Sequence, residues 1–398
     1  MKKNIIFILM IFAMVSCQSE IENSTTNIND LPDIKNESYT PLMVHPGILQ
    51  TNTTIQFMKD VVTTADVNSP KYKTYLALKA DPRAQSNYAL KGPFAFIARE
   101  GTNAYTKAAF DSDFAAAYFN ALMFTITDNQ AHAAKSLEIL LAYANTLQGV
   151  TGNDQPLLAG FNGFQIAYAL EILRYKYTVS DEDFNKINTM LRKYFLPILE
   201  EFFVTTPYSN GNWGLTVIRT YMAFAILWND VNMYKKGVDI FLHRTDNGTL
   251  LGYVDITTGQ CQESGREQLH AQLGIGQLGS ICELAYQQGN DLYSLYGNAV
   301  MKAFEYSAKY NLGYNDVPFK NWKDASGKYS NWTVIGSQYR GEFRSIYGMA
   351  YNHYVGRKKL SMPYTKEVLK DEFPLGIYNG DGICYDVFQF CDSNYSLN

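Results

Sequence analysis

The feature that most constrains the fold is the spacing of apolar residues, which recur every three or four positions from about residue 50 onward. One such run contains Phe114, Ala117, Tyr118, Ala121 and Leu122. This spacing places the side chains on one face of an α-helix. Short polar breaks at residues 127–129 and 229–230 separate successive runs. The pattern predicts an all-α protein made of helices joined as antiparallel hairpins, without the fixed period of a regular solenoid.

Two stretches interrupt the helical pattern, and the C-terminal end lacks it. Residues 91–103 and 317–333 are rich in Gly, Pro, Asn or aromatic residues. Long loops in a compact domain often cover a binding cleft, so we expect these two to border one. Residues 374–398 show little helical pattern and are predicted to pack as an irregular extended chain. No domain boundary is predicted after residue 40.

The composition excludes several classes of protein. Hydrophobic residues make up 46% of the chain and charged residues 18%, which excludes a disordered chain. The net charge is -4 and no basic tract occurs, which argues against a nucleic-acid partner. The chain contains 30 Tyr and 23 Phe. Aromatic rings with a polar tip suit a surface that stacks against sugars.

The N-terminus has the pattern of an export signal. Lys2 and Lys3 precede an apolar run over residues 5–15, which is too short to span a bilayer as a helix. The run ends at Ser16 and Cys17, and this arrangement resembles a bacterial lipoprotein signal. We therefore predict a signal peptide over residues 1–17 with a lipidated Cys17, and an exported protein anchored in the bacterial envelope, in the periplasm or at the outer-membrane surface. An ordinary cleaved signal is the alternative.

The residues that follow the signal divide into a tether and one domain. Residues 18–40 are polar and without periodicity, which predicts a flexible tether. Residues 41–398 are predicted to form a single domain. Four cysteines remain beyond Cys17, and an oxidising compartment permits disulfides, with Cys384 and Cys391 close enough in sequence to pair.

The segment at residues 262–270 is the most informative for chemistry. Glu263, Arg266 and His270 are spaced by three and four residues, so one helical face would present all three. Such a polar trio is costly to bury unless its members pair. The alternative is a structural ion pair between Glu263 and Arg266 beside an ordinary core or rim histidine.

Two further segments carry candidate binding groups. Residues 210–214 open a predicted helix, where free backbone amides and Asn212 can face an anion and Trp213 offers a flat ring. The alternative is a helix-capping Asn with a core Trp. In residues 338–344, Arg340 can clamp a carboxylate, and a guanidinium beside Tyr339 stabilises its phenolate. The alternative there is a surface ladder of Arg and Glu.

Taken in this order, the three segments resemble the alginate lyase family of helical-toroid polysaccharide lyases. The resemblance extends from about residue 45 to 354, and its best markers are Asn212-Trp213, the spacing of Glu263, Arg266 and His270, and residues 288–293. It implies an incomplete (α/α) toroid of antiparallel hairpins over residues 41–398, serving as the catalytic domain. It also implies cleavage of a uronic-acid polymer, with alginate as the expected substrate, by β-elimination.

The resemblance also implies roles for individual residues. Asn212 and Arg266 would neutralise the substrate carboxylate, while His270 and Tyr339 would serve as acid and base. The expected substrate contacts are Trp213, Glu263, Gln268, Arg340 and Arg344. The sequence departs from the family pattern at Trp213, where a His is usual, and at His270, where a Tyr is usual. Either the acid and base are shared differently, or His270 neutralises the carboxylate and a tyrosine acts as both acid and base. The alternatives to Tyr339 are Tyr306, Tyr310 and Tyr347.

No metal or cofactor is required by this reading, and the expected partner is an acidic polysaccharide acted on by a monomer. Two other functions remain open. A glycoside hydrolase on a similar toroid would need two carboxylates flanking the scissile bond. A lipid-anchored glycan-binding protein without catalysis would not need Arg266 and His270 aligned. Only a lyase creates a conjugated double bond, and only a hydrolase creates a reducing end without one, so the products separate the three possibilities.

Overall fold

The computed structural model describes residues 38–398 except 65, 206, 323, 372–383, 394, 396 and 398. The predicted signal peptide and residues 18–37 of the predicted tether lie outside the described residues, so both stay predictions. The described chain is built mainly of α-helices, as predicted. They are α1 (Asn52–Thr64), α2 (Pro70–Ala80), α3 (Lys107–Thr127), α4 (Gln130–Thr146), α5 (Gln155–Lys176), α6 (Asp181–Met190), α7 (Leu196–Val204), α8 (Gly211–Leu227), α9 (Val231–His243), α10 (Leu250–Tyr253), α11 (Gln268–Gln287), α12 (Leu295–Asn311), α13 (Tyr347–Tyr351), α14 (Pro363–Asp371) and α15 (Asp386–Gln389).

Short elements connect these helices. Two parallel strands, β1 (Phe96–Ala98) and β2 (Gly149–Thr151), pair with Ile97 opposite Val150. Strand β1 lies within the stretch that was predicted to be irregular. Five further short helical segments are not α-helical. Three are 3₁₀ helices, Pro82–Ala84, Gly101–Thr106 and Leu292–Ser294, and two are π-helical, Leu191–Phe195 and Asn352–Arg357.

Four long helices form an inner layer. Helices α3, α5, α8 and α11 pack against one another in that order. Their side chains are buried on nearly every side, including Phe114 and Tyr118 of α3 and Tyr168 of α5. A helix that is apolar all round belongs inside a larger assembly of helices. These four helices therefore form the centre of the core.

The remaining long helices cover this layer from outside. Helix α4 packs on α3, α9 on α8 and α12 on α11, while α6 and α7 pack on α5. The outer helices α6 and α9 bury one face only, as expected for an amphipathic helix at a surface. Ser180 caps α6 by accepting a hydrogen bond from the backbone N–H of Asp183 (3.1 Å). The arrangement is an incomplete toroid of helical hairpins, which confirms the predicted fold class.

The C-terminal segment differs from its prediction as an extended chain. Residues 384–391 are buried and include the short helix α15, which packs on α2 and α13. Tyr385 donates a hydrogen bond to Asp81 (2.6 Å), and Asp386 accepts one from Ser345 (2.8 Å). These contacts join the two ends of the described domain. Residues 374–383 of the predicted extension lie outside the described residues.

The sequence left open whether Cys384 and Cys391 form a disulfide. Both residues are buried as free thiols, and so are Cys261 and Cys282. Cys384 and Cys391 flank α15, and the short spacing that suggested a bond instead accommodates a helical turn. Within the described residues, no helix has both the length and the apolar character needed to cross a membrane.

Candidate active site

The N-terminal ends of three inner helices lie together at one end of the inner layer. A Cβ atom on Gly160 of α5 would lie 2.5 Å from the side chain of Thr216 of α8, and both residues occupy the second turn of their helix. Trp213 of α8 packs against a small apolar cluster of Leu157, Phe161 and Leu273, contributed by α5 and α11. Helix N-termini carry partial positive charge. This end of the layer is therefore favourable for an anionic ligand.

Glu263 is the centre of the polar contacts at this end. Its side chain is fully buried, and its two oxygens accept from the backbone N–H of Asn212 (3.1 Å), Asn212 Nδ2 (2.6 Å), Tyr253 Oη (3.2 Å) and Arg266 Nη1 (3.0 Å). Burial raises the pKa of this carboxyl, whereas the charge of Arg266 and the donors of Asn212 oppose the rise. Four converging donors match the acceptor capacity of a carboxylate. Glu263 thus holds Asn212 and Arg266 in place.

Arg266 and His270 adjoin Glu263, although not in the way that was predicted. Helix α11 begins at Gln268, so Glu263 and Arg266 lie in the turns before it and the idea of one helical face is wrong. Ser264 and Gly265 form the turn, and Trp332 packs against Gly265. The three side chains still meet, because Arg266 Nη2 lies 3.2 Å from His270 Nε2. Arg266 and His270 are partly exposed, at 27% and 39% of the side chain, whereas Glu263 is not.

Glu267 holds the other side of the His270 ring. One carboxylate oxygen caps α11 by accepting from the backbone N–H of His270 (2.9 Å), and the other contacts Nδ1. Burial and, to a smaller extent, the neighbouring charges of Arg266 and Arg344 together lower the pKa of His270 to about 4. The imidazole is therefore neutral across the neutral pH range.

Asn212 and Trp213 occupy the start of α8, as predicted. Asn212 is fully buried, and its side-chain amide nitrogen donates a hydrogen bond to Glu263. Trp213 is half-buried and stacks on Tyr208, with ring centroids 4.7 Å apart and planes inclined by 23°. Asn210 precedes the helix but makes no side-chain capping bond. Asn212 therefore meets Glu263 directly, and a direct contact with substrate stays a prediction.

The segment at residues 332–344 crosses the start of α11. Gln268, a predicted substrate contact, is 2% exposed; its Nε2 donates to Gly336 O (2.7 Å) and its Oε1 accepts from Asn311 (3.0 Å). The Gln268 amide thus contacts this segment through Gly336 and α12 through Asn311. A contact between Gln268 and substrate stays a prediction. Arg344 donates from Nε to Leu269 O (2.7 Å), and burial lowers its pKa to about 10. Its charge still reaches His270.

Arg340 is engaged by its own loop. Its Nε donates to Tyr310 O (2.7 Å), Nη1 to Asn315 (2.8 Å) and Nη2 to Tyr314 O (2.8 Å). The guanidinium also lies over the ring of Tyr310, 4.0 Å from its centroid. These contacts are structural, but they are made with carbonyl groups, Asn315 and an aromatic ring and not with the glutamate of the alternative ladder. A carboxylate clamp by Arg340 stays a prediction.

Among the four candidate tyrosines, Tyr339 is the exposed one, at 42%. Its neighbour Gln338 accepts a hydrogen bond from the backbone N–H of Gln268 (3.0 Å), which places Tyr339 next to the start of α11. Tyr306 is buried and donates to Pro318 O (2.7 Å). Tyr310 and Tyr347 are buried as well. Accessibility therefore favours Tyr339.

Further aromatic and charged residues surround the cluster. Tyr329 and Trp332 stack with centroids 4.6 Å apart and planes inclined by 10°. Strands β1 and β2 bring Arg99 to Asp154 at the start of α5 (3.1 Å). The pKa of Tyr208 is raised by burial and by the nearby Tyr329, Asp154 and Glu100. Both loops that were predicted to border a cleft thus contribute residues near Tyr208.

Sequence reasoning missed Tyr253, Glu267 and Tyr208. Glu267 could have been found, since the residue that precedes a helix is expected to cap it and Ser264-Gly265 signals a break. Nothing in the sequence marks Tyr253 or Tyr208, because their contacts depend on how distant segments pack. In the described ranges, no group of three or more His, Cys, Asp or Glu side chains is placed to hold a metal ion.

Solved alginate lyases share this architecture. Alginate lyase A1-III from Sphingomonas species A1 matches with a TM-score of 0.60 and 10% sequence identity, over 87% of this chain and 97% of that chain. An alginate lyase from Bacteroides ovatus matches with a TM-score of 0.54 and 12% identity, over 88% of this chain and 100% of that chain. The chain has the alginate lyase fold.

A variant of alginate lyase A1-III complexed with a tetrasaccharide also matches, with a TM-score of 0.53 and 12% identity, over 83% of this chain and 98% of that chain. No protein-family model and no curated protein matches the sequence. The predicted resemblance to alginate lyases is therefore confirmed for the fold. Sequence identities of 10–12% show a shared fold and do not by themselves assign an activity.

Proposed function

We propose that this protein is a polysaccharide lyase that cleaves a uronic-acid polymer, with alginate as the expected substrate. The observation that carries the proposal is the contact between Arg266 and the neutral His270, both partly exposed, beside the N-termini of inner helices. A cation that binds a carboxylate and a base that removes a proton then lie 3.2 Å apart. The shared fold supports the same reading.

β-Elimination explains why these groups belong together. The C5 proton of a uronate is barely acidic while the neighbouring carboxylate is ionised, and its removal produces an enolate-like charge. Fixed donors aimed at that charge lower the barrier most when the charge develops in the transition state. Arg266 is a permanent cation held by Glu263. It would bind the carboxylate and stabilise this charge.

His270 suits the role of base. A neutral imidazole can accept a proton, and the low pKa of His270 keeps it neutral. The same property disfavours the alternative in which His270 neutralises the carboxylate as a cation. Tyr339, exposed beside the start of α11, would then protonate the leaving oxygen. Asn212 would act indirectly: it donates a hydrogen bond to Glu263, and Glu263 holds Arg266 in place.

The surroundings suit an acidic polysaccharide. Trp213 and Tyr208 offer aromatic rings for pyranose faces, and Arg344 adds a second positive charge near His270. The N-terminal sequence supports placing this enzyme in the bacterial envelope through a lipidated Cys17. Such a location would give the protein direct access to extracellular polymers.

The activity is tested by incubating purified full-length protein with alginate, polyglucuronate and polygalacturonate while recording far-ultraviolet absorbance. A rise on at least one polymer shows the conjugated double bond of β-elimination. We expect His270→Ala to lower kcat about a hundredfold with an unchanged circular dichroism spectrum, because general-base catalysis contributes at least that much. New reducing ends without a rise in absorbance would instead identify a hydrolase, and binding without either signal would identify a glycan-binding protein.

The pH dependence provides a further test. Because the pKa of His270 is about 4, its basic form is present above that pH and is lost as the pH falls through it. We expect the acidic limb of kcat/KM, which reports the free enzyme, near pH 4 and not near the usual 6.5 of histidine. Arg344→Gln removes one of the charges that lower this pKa, so the limb should move to higher pH. An acidic limb that is unchanged in Arg344→Gln would contradict the assignment.

A further inference from the structure

The two ring nitrogens of His270 are held by groups of opposite charge. Glu267 contacts Nδ1, and a carboxylate can only accept, so Nδ1 carries the proton. Arg266 can only donate, so its Nη2 donates to the lone pair of Nε2 across 3.2 Å. These two partners select one tautomer, in which Nε2 is the basic atom of the ring.

The basic atom is therefore occupied when no ligand is bound. The charged groups that face His270 are Glu267 and Arg266, from the turn before α11, and Arg344, from the segment that crosses the start of α11. Two of the three are cations, and both disfavour a proton on Nε2. In this state His270 is a weak base with its lone pair engaged.

A bound carboxylate would change this balance through Arg266. Glu263 uses one Nη1 proton of the guanidinium, and its side chain is fully buried, so it cannot follow a ligand. Arg266 itself is 27% exposed and retains further N–H groups for an incoming anion. A substrate carboxylate paired with the Arg266 guanidinium would offset the positive charge of Arg266. Because that positive charge lowers the pKa of His270, pairing it with an anion would let the pKa rise.

We propose that Arg266 couples substrate recognition to catalysis: a uronate carboxylate that binds its guanidinium weakens the donation to His270 Nε2, so this nitrogen becomes an effective base only when an acidic sugar is present. Glu267 is the positioning residue in this arrangement, since it keeps the proton on Nδ1. The inference rests on the proposed function, and it explains how one site can reject neutral sugars both in binding and in chemistry.

The test uses nitrogen-15 NMR of histidine-labelled full-length protein, in which only 5 His contribute signals and His270→Gln identifies the relevant one. D-glucuronate is the probe, with D-glucose and the methyl ester of glucuronate as matched neutral probes; none of these monosaccharides can be cleaved. We expect glucuronate to shift the Nε2 resonance and to increase the protonation constant of His270 roughly tenfold, a change of the size that one neighbouring charge produces. The neutral probes should leave both unchanged.

Two variants keep the test decisive. In Arg266→Gln, the protonation constant should already be raised in the free protein and should not respond to glucuronate. In Glu267→Gln, the His270 ring should become a mixture of tautomers, which is visible as a changed pair of ring-nitrogen resonances. Glu267→Asp keeps a carboxylate, so the single tautomer should be restored if that carboxylate reaches Nδ1. An unchanged His270 signal at the highest glucuronate concentration, or an equal shift with the methyl ester, overturns the inference. A glucuronate-specific shift in a protein that cleaves no polyuronate would preserve the coupling and refute the lyase.

Discussion

Glu263→Ala is expected to lower the free energy of unfolding by about 3–5 kcal/mol, because several buried donors lose their acceptor at a cost of about 1–3 kcal/mol each. The substitution removes the acceptor for Arg266, for the side chain and backbone of Asn212 and for the hydroxyl of Tyr253. Three of these four donors belong to fully buried residues. Each donor left unsatisfied loses hydration without regaining a partner. Urea unfolding followed by circular dichroism measures the loss.

Two controls separate this effect from a general sensitivity to replacing glutamate. Glu263→Gln keeps the shape and one acceptor oxygen, so we expect an intermediate loss of stability. Glu138→Ala removes a surface carboxylate that pairs with Lys135 at 2.7 Å, and exposed pairs contribute less than about 1 kcal/mol. A Glu263→Ala protein as stable as Glu138→Ala would show that the four contacts do not stabilise the fold.

Arg266→Ala is expected to reduce kcat/KM on a polyuronate by roughly a thousandfold or more. Loss of one preorganised donor to a developing oxyanion alone lowers rates by about 10²–10³-fold, and Arg266 contributes a full charge as well. Arg266→Lys should retain part of the activity, since an ammonium keeps the charge but lacks the planar fork that suits a carboxylate. The initial rate of absorbance increase, measured at several polymer concentrations, provides the comparison.

The matched control for this arginine is Arg174→Ala. Arg174 is a partly exposed arginine near the C-terminal end of α5, and it pairs with the exposed Asp181 at 2.9 Å. Because it is distant from the N-terminal ends of the inner helices, its removal should leave the rate unaltered. Equal losses in the two variants would mean that Arg266 acts through stability and not through the carboxylate.

The helical architecture could be read from the sequence because its cause is local. Apolar residues spaced by three and four determine which segments become helices, and polar breaks determine where hairpins turn. The same local reasoning gave the correct start of α8 at Gly211. It failed for Glu263 and Arg266, because the spacing fits a helix while Gly265 packs against Trp332 in a turn. Trp332, which lies 67 positions after Gly265 in the chain, therefore packs where the sequence pattern alone predicted a helix.

Burial was the part of the site that the sequence could not supply. Asn212 meets Glu263 across 51 positions, and Gln268 meets Gly336 across 68. Such contacts decide whether a polar side chain faces a ligand or supports one that does. Hydrogen bonds join Asn212, Glu263, Arg266 and His270 in one cluster. Within it Asn212 is buried, whereas Arg266 and His270 are partly exposed.

The stacked pairs described above give the site its own fluorophores. Of the 4 Trp in the chain, Trp213 stacks on Tyr208, and Trp332 stacks on Tyr329 beside the turn that carries Arg266. Trp228 is remote from them, with its indole N–H donated to Asn188 (2.7 Å) and Arg192 over its ring. If a sugar binds beside Arg266 as proposed, the emission of Trp213 and Trp332 should respond to it while that of Trp228 should not, so binding would be measurable optically in the absence of turnover.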